Sequence, residues 1–298
     1  MKSADVVIIG AGFAGAATAY YLTQAGVRNL LILEREDTAG VHASGQNAGL
    51  GHRVTREPTL LPLLAEGADF IRGLPPDGPV RFRQTGSVIL GKGKDWESLQ
   101  SDIDRMQEAA GPLIRLSPQE VCEKTPYIFG GDFDGALWCA TDGVVDSKAL
   151  LKNYLTAAES GGAKIVYGAE VVEIQTKGNG IAAVITKSDR IETQVVVNAA
   201  GAWAGEIGQR TKVTPVPMQS YRRHLFITDS LTGVKPDDPF VWNLSEPLYL
   251  RPEGDGLLLC PCDEEEHPPG FPAIHSAARE LLDEKIKRYC RADRCAHA

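Results

Sequence analysis

Apolar residues along this chain change spacing several times, and each change predicts a new element. Val6–Ile9 are four consecutive apolar residues with the make-up of a strand buried on both faces. Gly10, Gly12 and Gly15 follow in G-x-G-x-x-G spacing, and Ala16, Ala19 and Leu22 then recur at core-facing helical spacing until Gly26 stops the helix. A second buried strand, Leu30–Leu33, delivers Glu34. From Arg35 through Thr38 and Gly40 to residue 53 the side chains turn small and polar. Such a segment builds no core and suits either a loop lying against a ligand or a plain solvent loop. Residues 56–72 read as a helix, and Pro75, Pro76, Asp77, Gly78 and Pro79 as a turn and possible domain boundary. Residues 80–90 alternate like strands. Trp96, Leu99, Ile103, Met106 and Ala110 share one face of a single predicted helix, capped by Asp95 and ended by Gly111. Residues 136–140 predict a further strand, with Asp142-Gly143 as a turn.

From Ser147 the pattern returns to α/β. Ala149, Leu150, Tyr154, Leu155 and Ala158 make a helical stripe that Gly161 and Gly162 terminate, and short strands follow at 164–167 and 171–174. Asn179-Gly180 marks a hairpin between residues 171–176 and 181–186. Residues 191–198 predict one strand as apolar as the first, running into Ala199-Ala200-Gly201-Ala202-Trp203. In the last third, residues 221–228 alternate as one strand, 248–251 and 257–260 flank a hairpin turn, and Asp263 to Glu266 read as a solvated charge run. Ile274, Ala278, Leu281, Leu282, Ile286 and Tyr289 predict a final amphipathic helix before a polar tail at 291–298. No internal repeat and no long low-complexity tract occur.

The opening stretch carries chemistry. Gly10 permits a tight turn, Gly12 lets the backbone approach a pyrophosphate, and Gly15 lets the helix pack on the strand. The free N–H groups and positive dipole end of the helix favour a diphosphate, and Glu34 is placed to accept hydrogen bonds from ribose hydroxyls. A lone G-x-G-x-x-G is equally the signature of an ordinary glycine-rich turn. Strand, helix, second strand and terminal acid together point to a dinucleotide, with NAD and FAD both open on these residues alone.

With 298 residues the chain exceeds one compact core, which predicts two domains. A net charge of -8 without a basic block argues against nucleic acid or an anionic membrane as partner. No long uncharged apolar run predicts a membrane span, and a first strand near residue five leaves no room for a signal peptide, so the expected location is cytoplasmic. Six cysteines, Cys122, Cys139, Cys260, Cys262, Cys290 and Cys295, are dispersed. Cys260-Pro261-Cys262 is their one close pair, and its spacing suits neither a zinc site nor a thioredoxin-type pair; reduced thiols and no metal are expected.

Four segments in order now carry a likeness: the fingerprint with Glu34, SGQNAGL at 44–50, VVVNAAGAWAG at 195–205, and LYLRPEGDGLLLCPCDE from residue 248. The chain resembles the FAD-dependent D-amino-acid oxidase superfamily, in particular its glycine/sarcosine oxidase and small D-amino-acid dehydrogenase branch, over nearly its whole length. The resemblance implies an α/β fold: a Rossmann-type FAD-binding domain, residues 1–79 and 143–215, with a second, mainly antiparallel-sheet substrate domain (α+β), residues 80–142 and 216–298. It implies that Gly10, Gly12, Phe13, Ala14 and Gly15 hold the FAD pyrophosphate and that Glu34 with Arg35 contacts the adenosine ribose. Ala43, Ser44, Asn47, Ala48, Gly49 and Leu50 would run beside pyrophosphate and flavin. Val171 would meet the adenine edge through its backbone or serve as an ordinary strand valine, and Ala200, Gly201 and Trp203 would close over the cofactor.

The implied activity is that of an FAD-dependent amine or amino-acid oxidoreductase. It would oxidise the C–N bond of a small amino acid or secondary amine by hydride transfer to flavin, with oxygen or a carrier as electron acceptor. His52, Arg53, Tyr249 and Arg251 are the candidates for carboxylate and amine contact, against roles as surface arginines or a satisfied histidine. Two alternatives stand beside it: a flavoprotein for a hydroxy acid or glycerol phosphate, which Arg222-Arg223-His224 would suit, and a non-catalytic FAD-binding remnant. The resemblance also implies a further strand, a glycine-containing loop and a closing helix after residue 289. The polar tail supplies none of these, so the chain reads as C-terminally truncated.

Overall fold

A computed structural model describes residues 3–55, 57–125, 127–128, 130–211, 216–271 and 273–289. The chain divides into two units. The first comprises Met1–Asn47, Asp146–Ser220 and Pro268–Gly270, and the second Ala48–Val145, Tyr221–His267 and Phe271–Ala298. The fold is α/β with parallel and antiparallel sheets.

In the first unit, β1 (Val6–Ile9) is the inner strand of a parallel sheet, flanked by Val195–Asn198 on one side and β2 (Leu30–Leu33) on the other, with Lys164–Val166 beyond β2. Alternation across these strands feeds two cores. Ile8, Leu30 and Ile32 pack on Ala16 and Ala19 of α1 (Phe13–Gln24) and on Leu151, Leu155 and Ala158 of the helix Ser147–Ser160. Val7, Ile9, Leu31 and Leu33 face the other way, onto Ile174, Val184 and Ile191 of the antiparallel sheet built from Val171–Lys177, Gly180–Thr186 and Arg190–Glu192. The four-residue apolar runs are explained by this double burial.

The second unit is organised on a seven-stranded, mostly antiparallel sheet. Its central strands are Leu248–Glu253, Phe240–Asn243 and Ser87–Gly91, the last two paired in parallel. One face carries Val88, Leu90, Val241, Leu250 and Leu259 against Leu282, Ile286 and Tyr289 of the helix Ser276–Tyr289. The other carries Ile89, Leu137 and Phe240 against Leu99, Ile103 and Met106. Residues 48–79, which the sequence pattern groups with residues 1–47, fall in this unit. Leu50–Gly51 pairs with Gly143–Val145 in a small sheet that Phe82–Arg83 completes.

Several sequence expectations are corrected. The single helix over Trp96 to Ala110 is two, Lys94–Ser101 and Ile103–Ala110, and Asp102 ends one and begins the next; the cap position before the first is Gly93, not Asp95. The predicted strand 191–198 is split between two sheets. Thr193 Oγ accepts the Val195 N–H at 3.3 Å and donates to the Val195 carbonyl at 3.0 Å, a local turn that competes with the ladder. Residues 221–228 are likewise interrupted, Tyr221–Arg222 and Phe226–Ile227 lying in different sheets. Of the charge run Asp263 to Glu266, residues 264–266 are exposed as expected, but the run is paired as well: Arg222 and Arg223 pair with Glu265 and Glu264, and Asp263 binds His224. The helix expected from residue 56 begins as a 3-10 turn at Pro58–Leu60 and is α-helical over Leu61–Arg72. Cys290, Cys295 and the polar tail lie outside the described residues, as does Arg56. Among the described residues no helix is long and apolar enough to cross a membrane, and no group of three or more His, Cys, Asp or Glu is placed to hold a metal ion.

Leu155 is buried between the parallel sheet and α1, so Leu155→Ala is expected to cost about 2–5 kcal/mol. The neighbouring exposed Lys152→Ala is expected to stay within about 0.5 kcal/mol. Urea unfolding of the two variants checks the difference.

Candidate functional site

The glycine turn is fixed by close contacts rather than by flexibility. Gly10 has φ 103°, and a Cβ there would stand 2.5 Å from the Ala199 carbonyl oxygen. A Cβ on Gly15 would fall 1.9 Å from the Gly10 carbonyl oxygen, which is how near α1 comes to β1. Gly12 is the residue before α1, with no side-chain cap of its own and no acid in the first turn. Ser44 Oγ accepts the Phe13 N–H at 3.0 Å and would sit 2.9 Å from a Cβ on Gly12. The first-turn N–H groups have no intrahelical partner, so beyond the Phe13 N–H that Ser44 takes, this end of α1 presents donors and a positive dipole with no acid in its own first turn.

Glu34 stands at the other side of the turn. Its Oε2 accepts the Ala11 N–H at 2.8 Å and its Oε1 the Glu36 N–H at 3.0 Å, with the residue only 9% exposed. A carboxylate has about four acceptor positions. Two are used to fix the turn, and the remaining capacity suits hydroxyl donors such as those of a ribose. The residues present therefore fit the adenosine diphosphate half of a dinucleotide.

Around this core stands a cluster that sequence reasoning missed. The Arg35 guanidinium lies 3.8 Å over the Trp203 ring, and the His42 ring packs on the same indole with centroids 4.6 Å apart. Glu36 Oε1 takes the Arg35 Nε–H at 2.8 Å and meets His42 Nε2 at 2.8 Å. His42 first, then Arg35, holds the Glu36 carboxyl below the ordinary carboxylate range. Trp203 closes the 3-10 turn Gly201–Trp203, in which Gly201 takes φ 54° and the Trp203 N–H donates to the Ala200 carbonyl at 3.0 Å. In the loop after Glu36, Asn47 Nδ2 donates to the Ser44 carbonyl at 2.7 Å, and Ala43 lies in a bend beside Ser44. The Val171 carbonyl is taken by the Arg210 guanidinium, a partner the sequence pattern did not indicate. Among the expected cofactor residues, Gly10, Gly12, Phe13, Ala14, Gly15, Glu34, Arg35, Ala43, Ser44, Asn47, Val171, Ala200, Gly201 and Trp203 all lie in the first unit.

Ala48, Gly49 and Leu50 lie in the second. Gly49 has φ 64°, a Cβ there would meet the Val145 carbonyl oxygen at 2.5 Å, and its own carbonyl accepts the Val145 N–H at 2.8 Å. The Ala48 carbonyl accepts Arg251 Nε–H at 2.6 Å; Arg251, 7% exposed, also donates to the Pro252 carbonyl at 2.8 Å and pairs with Glu253. Arg53, 6% exposed, pairs with Asp69 at 2.5 Å, and its backbone N–H donates to Asp142 Oδ1 at 3.1 Å. Both arginines thus bind their own chain. His52 Nδ1 lies 3.1 Å from the Val54 carbonyl, which assigns the proton to Nδ1 and leaves Nε2 as an acceptor. Its ring meets Trp242 edge-on at 5.1 Å, and Trp242 meets Tyr249 at 6.2 Å, so His52, Trp242 and Tyr249 form one aromatic row. Burial pushes the Tyr249 hydroxyl up. Asp142 is buried, accepts Ser87 Oγ–H at 2.6 Å, and is pushed up by burial against those hydrogen bonds.

A family model for FAD dependent oxidoreductases, DAO, matches residues 5–297. The chain belongs to that family, and its cofactor is FAD. The mitochondrial dimethylglycine dehydrogenase of Rattus norvegicus is 26% identical over 309 residues, covering 96% of this chain and 34% of its own length. The mitochondrial sarcosine dehydrogenase of Mus musculus is 28% identical over 266 residues, covering 86% of this chain and 28% of its own length. The chain thus spans about a third of the length of these curated relatives. The crystal structure of L-proline dehydrogenase from P. horikoshii shares the fold, with a TM-score of 0.86 at 20% identity, over 97% of this chain and 77% of that one.

Gly12→Ala is expected to weaken FAD binding about tenfold or more, or ~1.4 kcal/mol, by forcing Ser44 and the turn away from the pyrophosphate. Gly67→Ala, with open space around its Cβ, is expected to leave affinity unchanged. Equilibrium dialysis against FAD distinguishes the two.

Proposed function

We propose that the chain is the catalytic body of an FAD-dependent oxidoreductase that oxidises the C–N bond of a small amino acid or secondary amine. When bound, FAD supplies the two-electron acceptor for the hydride leaving the substrate α-carbon. The observation that carries the reading is the pairing of Glu34 with the glycine turn at the head of α1, which fits the adenosine and diphosphate of that cofactor. The choice of substrate class is supported by the chain's similarity to a dimethylglycine dehydrogenase and a sarcosine dehydrogenase.

The expected site residues take these proposed roles. Gly10, Gly12, Phe13, Ala14, Gly15, Ser44 and Asn47 line the diphosphate, Glu34 and Arg35 the ribose, Val171 the adenine edge, and Ala43, Ala48, Gly49, Leu50, Ala200, Gly201 and Trp203 the remainder of the cofactor. His52 and Tyr249 contact substrate, His52 Nε2 being placed to accept a proton from an ammonium group. Arg53 and Arg251, held by Asp69 and the Ala48 carbonyl, fix the segments that carry those two. The first unit serves FAD binding and the second unit the substrate. Oxygen or a carrier accepts the electrons. We place the protein in the cytoplasm, a reducing compartment that the free thiols of Cys122, Cys139, Cys260 and Cys262 suit.

Oxidation of a hydroxy acid or glycerol phosphate is less well supported. Its motive was a basic cluster able to take a phosphate, and Arg222, Arg223 and His224 are each engaged by Glu265, Glu264 and Asp263. The visible spectrum of the FAD-loaded protein, recorded anaerobically with sarcosine, dimethylglycine, D-amino acids and hydroxy acids in turn, tests the proposal. Bleaching of the flavin band by an amine and not by a hydroxy acid is expected. Protein that holds FAD yet bleaches with no amine contradicts it.

A further inference from the structure

The cofactor reading leaves Cys260-Pro261-Cys262 unused. Cys260 ends the strand Gly256–Cys260 as the cross-strand partner of Tyr249, so the two side chains stand side by side. Cys260 is fully buried and Cys262 partly exposed. Pro261 fixes its own φ between them. Cys262 takes the left-handed backbone, φ 52°, and among the described residues it alone does so without being glycine. L side chains disfavour that conformation, and residues held in it cluster at functional sites. Here it turns the chain so that the Cys262 N–H donates to Cys260 Sγ at 3.3 Å.

The Tyr249 side chain flanks the same sulfur from the neighbouring strand, the Cys262 thiol follows two residues on, and the Arg223 and Lys285 cations are the charges that act on the pair. Lys285 Nζ, from the helix Ser276–Tyr289, donates to the carbonyls of Pro247 at 2.6 Å and Pro261 at 2.7 Å and pins the turn from outside. A buried sulfur that accepts a backbone N–H, beside a tyrosine and a second thiol, has the surroundings of a thiolate. The Cys262 thiol first, then Tyr249 and the Cys262 N–H, bring Cys260 down to about 7 against its burial, while Cys262 is pushed up by its bond to Cys260. Cys139 provides the contrast: equally buried, with Thr141 as its neighbour and the Asp142 carboxylate close by, it is pushed up to about 11 by burial and by that charge, as befits a thiol that only fills space.

We propose that Cys260 and Cys262 form a peroxide-reactive thiol pair, with Cys260 as the nucleophile and Cys262 as the resolving thiol, closing a disulfide across Pro261. The Cys260 thiolate attacks one oxygen of hydrogen peroxide. The O–O bond breaks, hydroxide leaves and takes up a proton as water, and Cys260 becomes a sulfenic acid. Cys262 then attacks that sulfur, the S–O bond breaks, and a second water leaves as the S–S bond forms. Two thiols give up two electrons and two protons, and one peroxide is reduced to two waters. A small neutral oxidant is the class that reaches a buried sulfur, and the partly exposed Cys262 is the side chain free to move toward it. The pair operates whether or not the chain oxidises amines.

Full-length reduced protein treated with equimolar hydrogen peroxide, alkylated and digested for mass spectrometry tests the proposal. The expected result is that the peptide carrying both cysteines escapes alkylation, becomes lighter by two hydrogen atoms and is restored by dithiothreitol, while Cys122 and Cys139 remain alkylated. The rate is expected to rise with pH through a midpoint of about 7, and Tyr249→Phe to move that midpoint upward. Cys262→Ser is expected to stop at a sulfenic acid that dimedone traps. Oxidation of Cys122 or Cys139 at an equal rate, or a midpoint at the free-thiol value of about 8.5, overturns it.

Discussion

The bond from the Ala11 N–H to the Glu34 carboxylate is the constraint on which the first unit depends. It joins the end of β2 to the turn between β1 and α1, two places 23 residues apart in the chain. A second bond, from the Gly10 N–H to the Leu33 carbonyl at 2.8 Å, runs beside it. With both made, the turn has one position relative to the sheet, and the N-terminus of α1 is aimed by the same contacts that leave Glu34 with acceptor capacity to spare. Buried carboxylates need such partners, because an ionised group without them is costly in a low-dielectric interior. One carboxylate therefore fixes the turn and, in the proposed role, keeps acceptor positions for a ribose.

The rest of the first unit supports that geometry from both sides. Ala16 and Ala19 bring α1 close to β1, and the antiparallel sheet behind covers Val7 and Ile9. Trp203, held between Arg35 and His42, brings the segment after Val195–Asn198 to the residues that follow Glu34. The second unit uses buried arginines in a comparable way: Arg251 and Arg53 tie strand and loop backbone together from within, through carbonyl and carboxylate partners.

How much of this was legible in the sequence follows from the range of the interactions. Val6–Ile9, α1, Leu30–Leu33 and both long hairpins were legible because period, glycine position and turn residues are local signals. The break at Asp102 was not, since Leu99 and Ile103 reach the same core from either side of it. Phe240–Asn243 escaped because a short strand buried in mid-sheet has no alternation to show. Within the candidate site the residue types were legible and their partners were not. Nothing near Arg35 in the chain announces Trp203, and nothing near Val171 announces Arg210. The pairing of the acidic stretch 263–266 was hidden for the same reason: its basic partners lie about 40 residues earlier.

The central claim is that the first unit recognises the adenosine diphosphate part of FAD through the head of α1 and Glu34. Calorimetric titration of the apoprotein with FAD, ADP and FMN tests it most directly. ADP is expected to bind and to compete with FAD, Glu34→Ala to weaken both, and FMN, which lacks the adenosine, to bind far more weakly. Tight binding of FMN with no measurable binding of ADP would contradict it.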